Sequence, residues 1–340
     1  VGVAGAALWV GVNAGAQWLG GLQLGQTAED YPGPGSGTTQ VTIATGDTVT
    51  DIGAALVEAD VVASVEAFVE AAAGNDAATS IQPGTYELPQ QIPADQALVL
   101  LVDGSTKVVE RVTIREGLRV PQTLDLLAEG TGSPLKQLER AARSGRIGLP
   151  PYAGGEPEGY LFPDTYDFGP GLDPTETLTV LTDRFASVAD EIGLEAGARR
   201  AGFTPHEIVT MASLAQAEAG TPEDFGKVVR VILNRLDDGQ PLQFESTIFF
   251  ATGKFGVFPD DEDYLVDSPY NTYQNPGLPP GPINSPGQDA LEAALDPPAG
   301  EWRYFVTVNL DTGETKFAET FEEHERNVAE LERWRARNPQ

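Results

Sequence analysis

The sequence predicts an α+β protein: an N-terminal transmembrane helix, a small α+β module, and an α-rich domain that carries a minor sheet. Three observations predict it. They are an uncharged N-terminal stretch, a strand–turn–helix pattern that occurs twice, and a succession of capped amphipathic helices after residue 120. A chain of 340 residues has room for two domains of about 100–200 residues each. The expected division is an anchor at 1–25, a flexible linker at 26–40, the α+β module at 41–120 and the α-rich domain at 121–340.

Taken in order, Val1 to Ala28 carries no charge, and Val1–Leu24 is long enough, at about 1.5 Å per residue, to cross a hydrocarbon layer of about 30 Å. Read as a membrane anchor or as a cleaved signal peptide, it leads us to expect the rest of the chain outside the cytoplasm. Glu29–Gln40 (EDYPGPGSGTTQ) has the Pro, Gly, Ser and Thr content of a tether. Next, Val41-Thr-Ile-x-x-Gly46-x-x-Val49 returns 71 positions later as Val112-Thr-Ile-x-x-Gly117-x-x-Val120. Each copy reads as a β-branched strand, a glycine turn and an amphipathic helix. A strand–helix–helix–strand unit runs from Ile43 through Ala67–Glu70 to Gly84–Leu88. That order resembles a LysM domain, a module that binds amino-sugar glycans; a small module without a ligand is the other reading. Beyond it, helical patterns cover Pro121–Ala128, Pro134–Ala142, Glu176–Ile192, Pro205–Ala219 and Pro222–Leu236. Trp302–Asn309 and Glu314–Phe317 flank Asp311-Thr-Gly313 as a hairpin, and Phe321–Arg335 closes the chain as a helix.

Composition excludes several function classes. The formal charge is −30, from 21 basic and 51 acidic residues, so phosphate backbones and anionic lipid surfaces are repelled and nucleic acid is no partner. There is no cysteine, hence no disulfide, thiolate metal site or cysteine nucleophile. The two histidines, His206 and His324, are too few for a multi-histidine metal centre, and neither metal nor cofactor is expected.

The most informative helix is Pro205–Ala219. Thr204-Pro205-His206-Glu207 is a capping box with proline at the first helical position, and Gly220 marks the end. Ile208, Met211, Ala212, Leu214, Ala215 and Ala219 form one apolar arc, and Glu218 falls on it. An inward carboxyl in the last turn meets both burial and the negative end of the helix dipole, so its pKa should lie above the usual value of about 4.3. A carboxyl held protonated near neutrality is a general acid; a structural carboxylate paired with an arginine is the other reading.

Around it, Asn234 and Arg235 end the next helix. Gln243, Glu245 and Thr247 alternate along an expected extended segment, with Glu245 as a possible second carboxylate. Ser268–Tyr273 and Gly277–Pro286 form a proline-stiffened loop, in which Tyr270, Asn271 and Tyr273 offer the flat faces and amide groups that hold sugar rings. Pro157–Tyr166 either lines a groove or caps a domain junction.

Six ordered motifs then carry a resemblance. Glu158-Gly-Tyr-Leu-Phe-Pro-Asp-Thr-Tyr166, Met211-Ala-Ser-Leu-Ala-Gln-Ala-Glu218, Val231-Ile-Leu-Asn-Arg-Leu236, Leu242-Gln-x-Glu-x-Thr247, Ser268-Pro-Tyr-Asn-Thr-Tyr273 and Gly277-Leu-Pro-Pro-Gly-Pro-Ile283 are similar to the YceG-like family. That family comprises membrane-anchored endolytic murein transglycosylases. The resemblance implies a lysozyme-like catalytic domain, cleavage of peptidoglycan strands between N-acetylmuramic acid and N-acetylglucosamine with 1,6-anhydro ends, and a single-pass membrane location. It implies Glu218 as the acid/base, with Asn234, Gln243, Glu245, Tyr270, Asn271 and Tyr273 in the substrate groove and cell-wall synthases as candidate partners. The family's helix commonly carries an acid two residues earlier, where this chain has Gln216. The alternatives are a hydrolytic muramidase using Glu218 and Glu245, and a scaffold that binds peptidoglycan without cutting it.

Overall fold

The computed structural model describes residues 28–256 and 259–338. The anchor expected at 1–25 lies outside them; among the described residues no helix is long and apolar enough to cross a membrane. Among the described residues, helices and three two-stranded antiparallel sheets give a mixed α+β fold. The chain divides into two compact units between Val108 and Val109.

In the first unit, β1 (Ser36–Ile43) pairs antiparallel with β2 (Gly84–Gln90), Val41 opposite Tyr86 and Thr42 opposite Thr85. Between them lie α1 (Val49–Glu58), started by a Thr48–Asp51 capping box, and α2 (Val65–Ala73). The βααβ order is the one expected; α3 (Ala94–Asp103) is an addition, and its Leu98 and Leu101 join Ile43, Leu56, Phe68, Tyr86 and Leu88 in the core. Glu29–Gln40 is not the free tether its composition suggested. Its last residues belong to β1, and its start is tied down. Asp30 accepts the Ala94 N–H at 3.1 Å, capping α3, whose own N-cap is a proline, and Tyr31 Oη donates to Asp60 at 2.6 Å.

The second unit opens on the other copy of the repeat, and that copy is also βααβ. β3 (Glu110–Thr113) pairs antiparallel with β4 (Thr165–Phe168) around α4 (Val120–Thr131) and α5 (Leu135–Ala142). The two copies share strand register and side-chain hydrogen bonds at their centres. Val112 stands opposite Tyr166 as Val41 stands opposite Tyr86, and Thr113–Thr165 hydroxyls meet at 3.0 Å as Thr42–Thr85 hydroxyls meet at 3.1 Å. Tyr86 and Tyr166 each donate to the carbonyl four residues earlier at 2.6 Å. Gly46 and Gly117 both turn with positive φ, 92° and 74°. A boundary at residue 120 would cut this second copy between its strand and its helix; burial of Val112, Ile114, Leu124, Leu127 and Leu138 in one cluster keeps them together.

Helices then dominate: α6 (Pro174–Glu191), α7 (Leu194–Ala201), α8 (Pro205–Glu218), α9 (Phe225–Asp237), α10 (Glu245–Thr252) and α11 (Gln288–Leu295). α8 packs against α7, α9, α10 and α11. Every side chain from Ile208 to Ala215 is buried, so α8 is enclosed on all sides instead of showing a single apolar arc. Its polar residues are satisfied inside. Thr210 Oγ donates to the His206 carbonyl and Ser213 Oγ to that of Thr210, while Ser213 Oγ accepts the Ile283 N–H. α9 begins only at Phe225, after a tight turn at Pro222–Asp224. The segment expected to be extended through Thr247 becomes helical at Glu245, so Gln243, Glu245 and Thr247 share no strand face. The hairpin forms as expected from β5 (Tyr304–Asn309) and β6 (Glu314–Ala318); α12 (Phe321–Arg337) packs on it, and Phe305 and Phe317 reach the helical core.

Candidate active site

Glu218 is the last residue of α8. The next residue, Ala219, is already extended at φ −77°, ψ 135°, so the helix stops sharply and leaves the carboxyl at its end. There it meets the start of another helix. α10 has Phe244 at its N-cap, a residue with no side-chain acceptor, and its first amides need a partner from elsewhere. Glu218 Oε1 supplies it, accepting the Ser246 hydroxyl at 2.5 Å and the Ser246 N–H at 3.3 Å.

The electrostatics pull in two directions. Burial raises the Glu218 pKa, the two Ser246 hydrogen bonds lower it, the Glu245 charge raises it and the Arg235 charge lowers it; the balance stands at about 7. Glu245 is the neighbouring carboxylate, and its Oε1 accepts the Tyr264 hydroxyl at 2.8 Å. Tyr264 meets Tyr273 edge to face at 4.8 Å between ring centres, and burial and then the surrounding Tyr264, Glu245 and Glu218 push the Tyr273 phenol upward. Arg235 is buried and holds the carbonyls of Arg303 and Leu242, so it acts on Glu218 through its charge without bonding to it.

Of the residues expected in the groove, Glu245 and Tyr273 stand by Glu218. The others are disposed differently. Asn234 gives its amide hydrogens to the carbonyls of Gly300 and Trp302, at 3.0 and 2.8 Å, and so clasps the entry to the hairpin. Asn271 is 0% exposed and organises its own loop. Its amide donates to the carbonyls of Tyr264 and Val266, both at 3.0 Å, and its Oδ1 accepts the Tyr273 N–H. In both residues the amide N–H groups are engaged by backbone carbonyls. Gln243 is exposed, with φ 54° and its N–H on the Thr272 carbonyl. Tyr270 packs on Phe250, 4.7 Å between ring centres and one turn along α10 from Ser246. Gln216, where the expected pattern has an acid, accepts the Gly287 N–H at 3.0 Å. Glu158 is a second carboxyl raised by burial to about 7; it accepts the Val120 N–H and so caps α4.

Sequence reasoning missed Ser246 and Tyr264. No local signal pointed to Ser246, because the helix that begins at Glu245 lies in a segment whose pattern reads as extended. Among the described residues, no group of three or more His, Cys, Asp or Glu side chains is placed to hold a metal ion. What the arrangement offers is one carboxyl able to give up a proton near neutrality and to take it back, beside a second carboxylate already engaged by a tyrosine.

Comparison with known proteins places the geometry in context. Residues 41–330 match the YceG-like family. An endolytic murein transglycosylase of Bacillus subtilis is 30% identical over 303 residues, covering 84% of this chain and 83% of that protein. A protein of the same name from Streptococcus pneumoniae is 30% identical over 285 residues, 74% of this chain; the match spans 51% of that longer relative. A crystal structure of a YceG-like protein from Listeria monocytogenes aligns with a TM-score of 0.58 at 26% identity, over 85% of this chain and 98% of that one.

Proposed function

From the premise that this chain belongs to the YceG-like family, we infer that it is an endolytic murein transglycosylase, a lyase that cuts peptidoglycan glycan strands, with Glu218 as its single acid/base. The bond cleaved is the one between N-acetylmuramic acid and N-acetylglucosamine. Protonated Glu218 gives its proton to the glycosidic oxygen as the bond from C1 of the muramic residue breaks. The resulting carboxylate then takes the proton of that residue's C6 hydroxyl as the oxygen attacks C1. One product gains a hydroxyl end, the other closes a 1,6-anhydro ring, and Glu218 is again protonated. No water is consumed.

The observation that carries this reading is the state of Glu218: half-buried at the end of α8, balanced near pH 7 by burial and Glu245 against Ser246 and Arg235. A group at that balance serves equally as acid and as base at neutral pH. Tyr273 and Glu245 flank it, and we assign them to the groove. We further read the first unit as a LysM-like module that holds glycan, and residues 1–25 as the single-pass anchor that keeps the enzyme at the outer face of the membrane, near the cell-wall synthases.

The test is mass spectrometry of peptidoglycan digested by the protein. Every cut is expected to release a 1,6-anhydro end, lighter than the reducing sugar by one water, with internal cuts in long strands appearing first. Reducing ends as the primary product would replace the lyase by a hydrolase, and trimming from strand ends alone would remove the endolytic part.

A further inference from the structure

Both hydrogen bonds that Glu218 receives among the described residues come from Ser246, and both fall on Oε1. An O–H donor at 2.5 Å is at the short end for a neutral pair and usual for a hydroxyl facing an ionised carboxylate, where the bond is charge-assisted. The amide beside it belongs to the first turn of α10, whose dipole also favours negative charge. The other influences on Glu218 are fixed. Its own helix presents a C-terminal end. α10 also brings Glu245, α9 brings the buried Arg235, and the loop brings Tyr273, with Tyr264 acting through Glu245. Ser246 alone of these touches the carboxyl.

We propose that Ser246 is a positioning residue that sets the proton balance of Glu218, by stabilising the carboxylate left after proton donation and by reserving Oε1 so that the transferable proton resides on Oε2. Without it, burial and Glu245 would leave a carboxyl reluctant to ionise, able to start the reaction but slow to release its proton. With it, one carboxyl can carry both halves of a proton shuttle. The inference rests on Glu218 being the acid/base, and it adds the device that allows a single group to do both tasks.

The test titrates the Glu218 carboxyl directly in the full chain, by carbon NMR without substrate, the Glu218 signal being identified by its loss in Glu218→Gln. Ser246→Ala is expected to move the midpoint upward by about one to two pH units, the effect of losing one charge-assisted hydrogen bond. The alkaline limb of kcat/KM should move with it, and kcat near pH 7 should fall about tenfold or more. Ser246→Thr, which keeps the hydroxyl, is expected to restore the midpoint and the limb. An unchanged or lowered midpoint in Ser246→Ala overturns the proposal, as does a folded Ser246→Thr that titrates like the alanine variant. Should Ser246→Ala not fold, Ser246→Cys, with a weak donor of similar size, is read by the same criterion. Because the titration is made without substrate, an unmoved midpoint refutes the role of Ser246 even if anhydro products form. Reducing-end products refute the lyase reading even if the midpoint moves.

Discussion

Gly220, two residues past Glu218, and Gly313, at the turn of the β5–β6 hairpin, meet backbone to backbone: a Cβ built on either would strike the carbonyl oxygen of the other. Gly313 also turns with φ 74°, which favours glycine. The hairpin tip is thus pressed against the chain just after the acid. Gly220→Ala must separate the two backbones, at a cost of about 1–3 kcal/mol for overpacking. Moving the end of α8 by even a fraction of an ångström should cost more in turnover than in stability. Expected in thermal unfolding and steady-state kinetics is a modestly lowered Tm with kcat reduced about tenfold or more; a Tm loss with wild-type kcat would show that the contact serves folding alone.

Glu218→Gln keeps the shape of the side chain and can still accept from Ser246, but has no acidic proton to give. Cleavage should fall by roughly 10²–10⁴-fold, the usual worth of general acid–base catalysis. The fold should survive. A folded variant retaining more than about a tenth of the wild-type rate would remove Glu218 from the acid's role.

The same carboxyl sets two pH dependences of defined sign. Cleavage needs the protonated form, so kcat/KM should decline as pH rises through about 7, the position of Glu218 in the folded chain. For stability, the folded pKa lies above the unfolded value of about 4.3. The stabilising contribution of the neutral carboxyl is therefore complete below that value and is lost as pH rises through about 7. Glu158, also raised to about 7, adds to the stability dependence with the same sign. Glu158→Gln should flatten part of the stability profile, measured by denaturant unfolding at several pH values, while leaving the kinetic limb in place. A kinetic limb that follows Glu158 instead would reassign the titrating acid.

These residues were legible in the sequence to different depths. Glu218 could be read because everything that aims it is local: a capping box at Thr204, apolar spacing, and a helix end at Gly220. The repeat could be read through its first strands, 71 positions apart, but its return strands could not, since Thr165-Tyr166 follows Thr85-Tyr86 by 80. The longer connection in the second copy breaks a fixed-offset comparison although the strand register is the same. α10 was hidden because Gln243 takes a positive φ that no glycine or asparagine announces, which redirects the chain into a helix at Glu245. Asn234 and Asn271 show a further limit. An amide that suits a sugar hydroxyl suits a backbone carbonyl equally, and only the fold decides which partner is near.

Asn271 makes that distinction measurable. Its side chain satisfies two carbonyls and one amide within its own loop, so Asn271→Ala leaves buried polar groups without partners, at roughly 1–3 kcal/mol. The expected result is a lowered unfolding midpoint and easier proteolysis of the loop. KM at a temperature where the variant is folded should change little in comparison. A variant of unchanged stability with a strongly raised KM would return Asn271 to the substrate groove.

Glu245 decides between the two ways of cutting a glycan. In a hydrolase the second carboxylate is the base or the nucleophile, and losing it costs as much as losing the acid. Here Glu245 accepts the Tyr264 hydroxyl and raises the Glu218 pKa by its charge. Removing that charge should let Glu218 ionise more readily, so Glu245→Gln is expected to move the alkaline limb of kcat/KM downward, opposite to Ser246→Ala. The products should still end in 1,6-anhydro rings, because the muramic C6 hydroxyl, and not an activated water, is the nucleophile. A rate loss equal to that of Glu218→Gln, together with reducing ends in the wild-type digest, would identify Glu245 as a hydrolytic partner. A slower enzyme that makes the same anhydro product leaves Glu218 as the sole proton carrier, with Glu245 adjusting its balance from the adjoining helix.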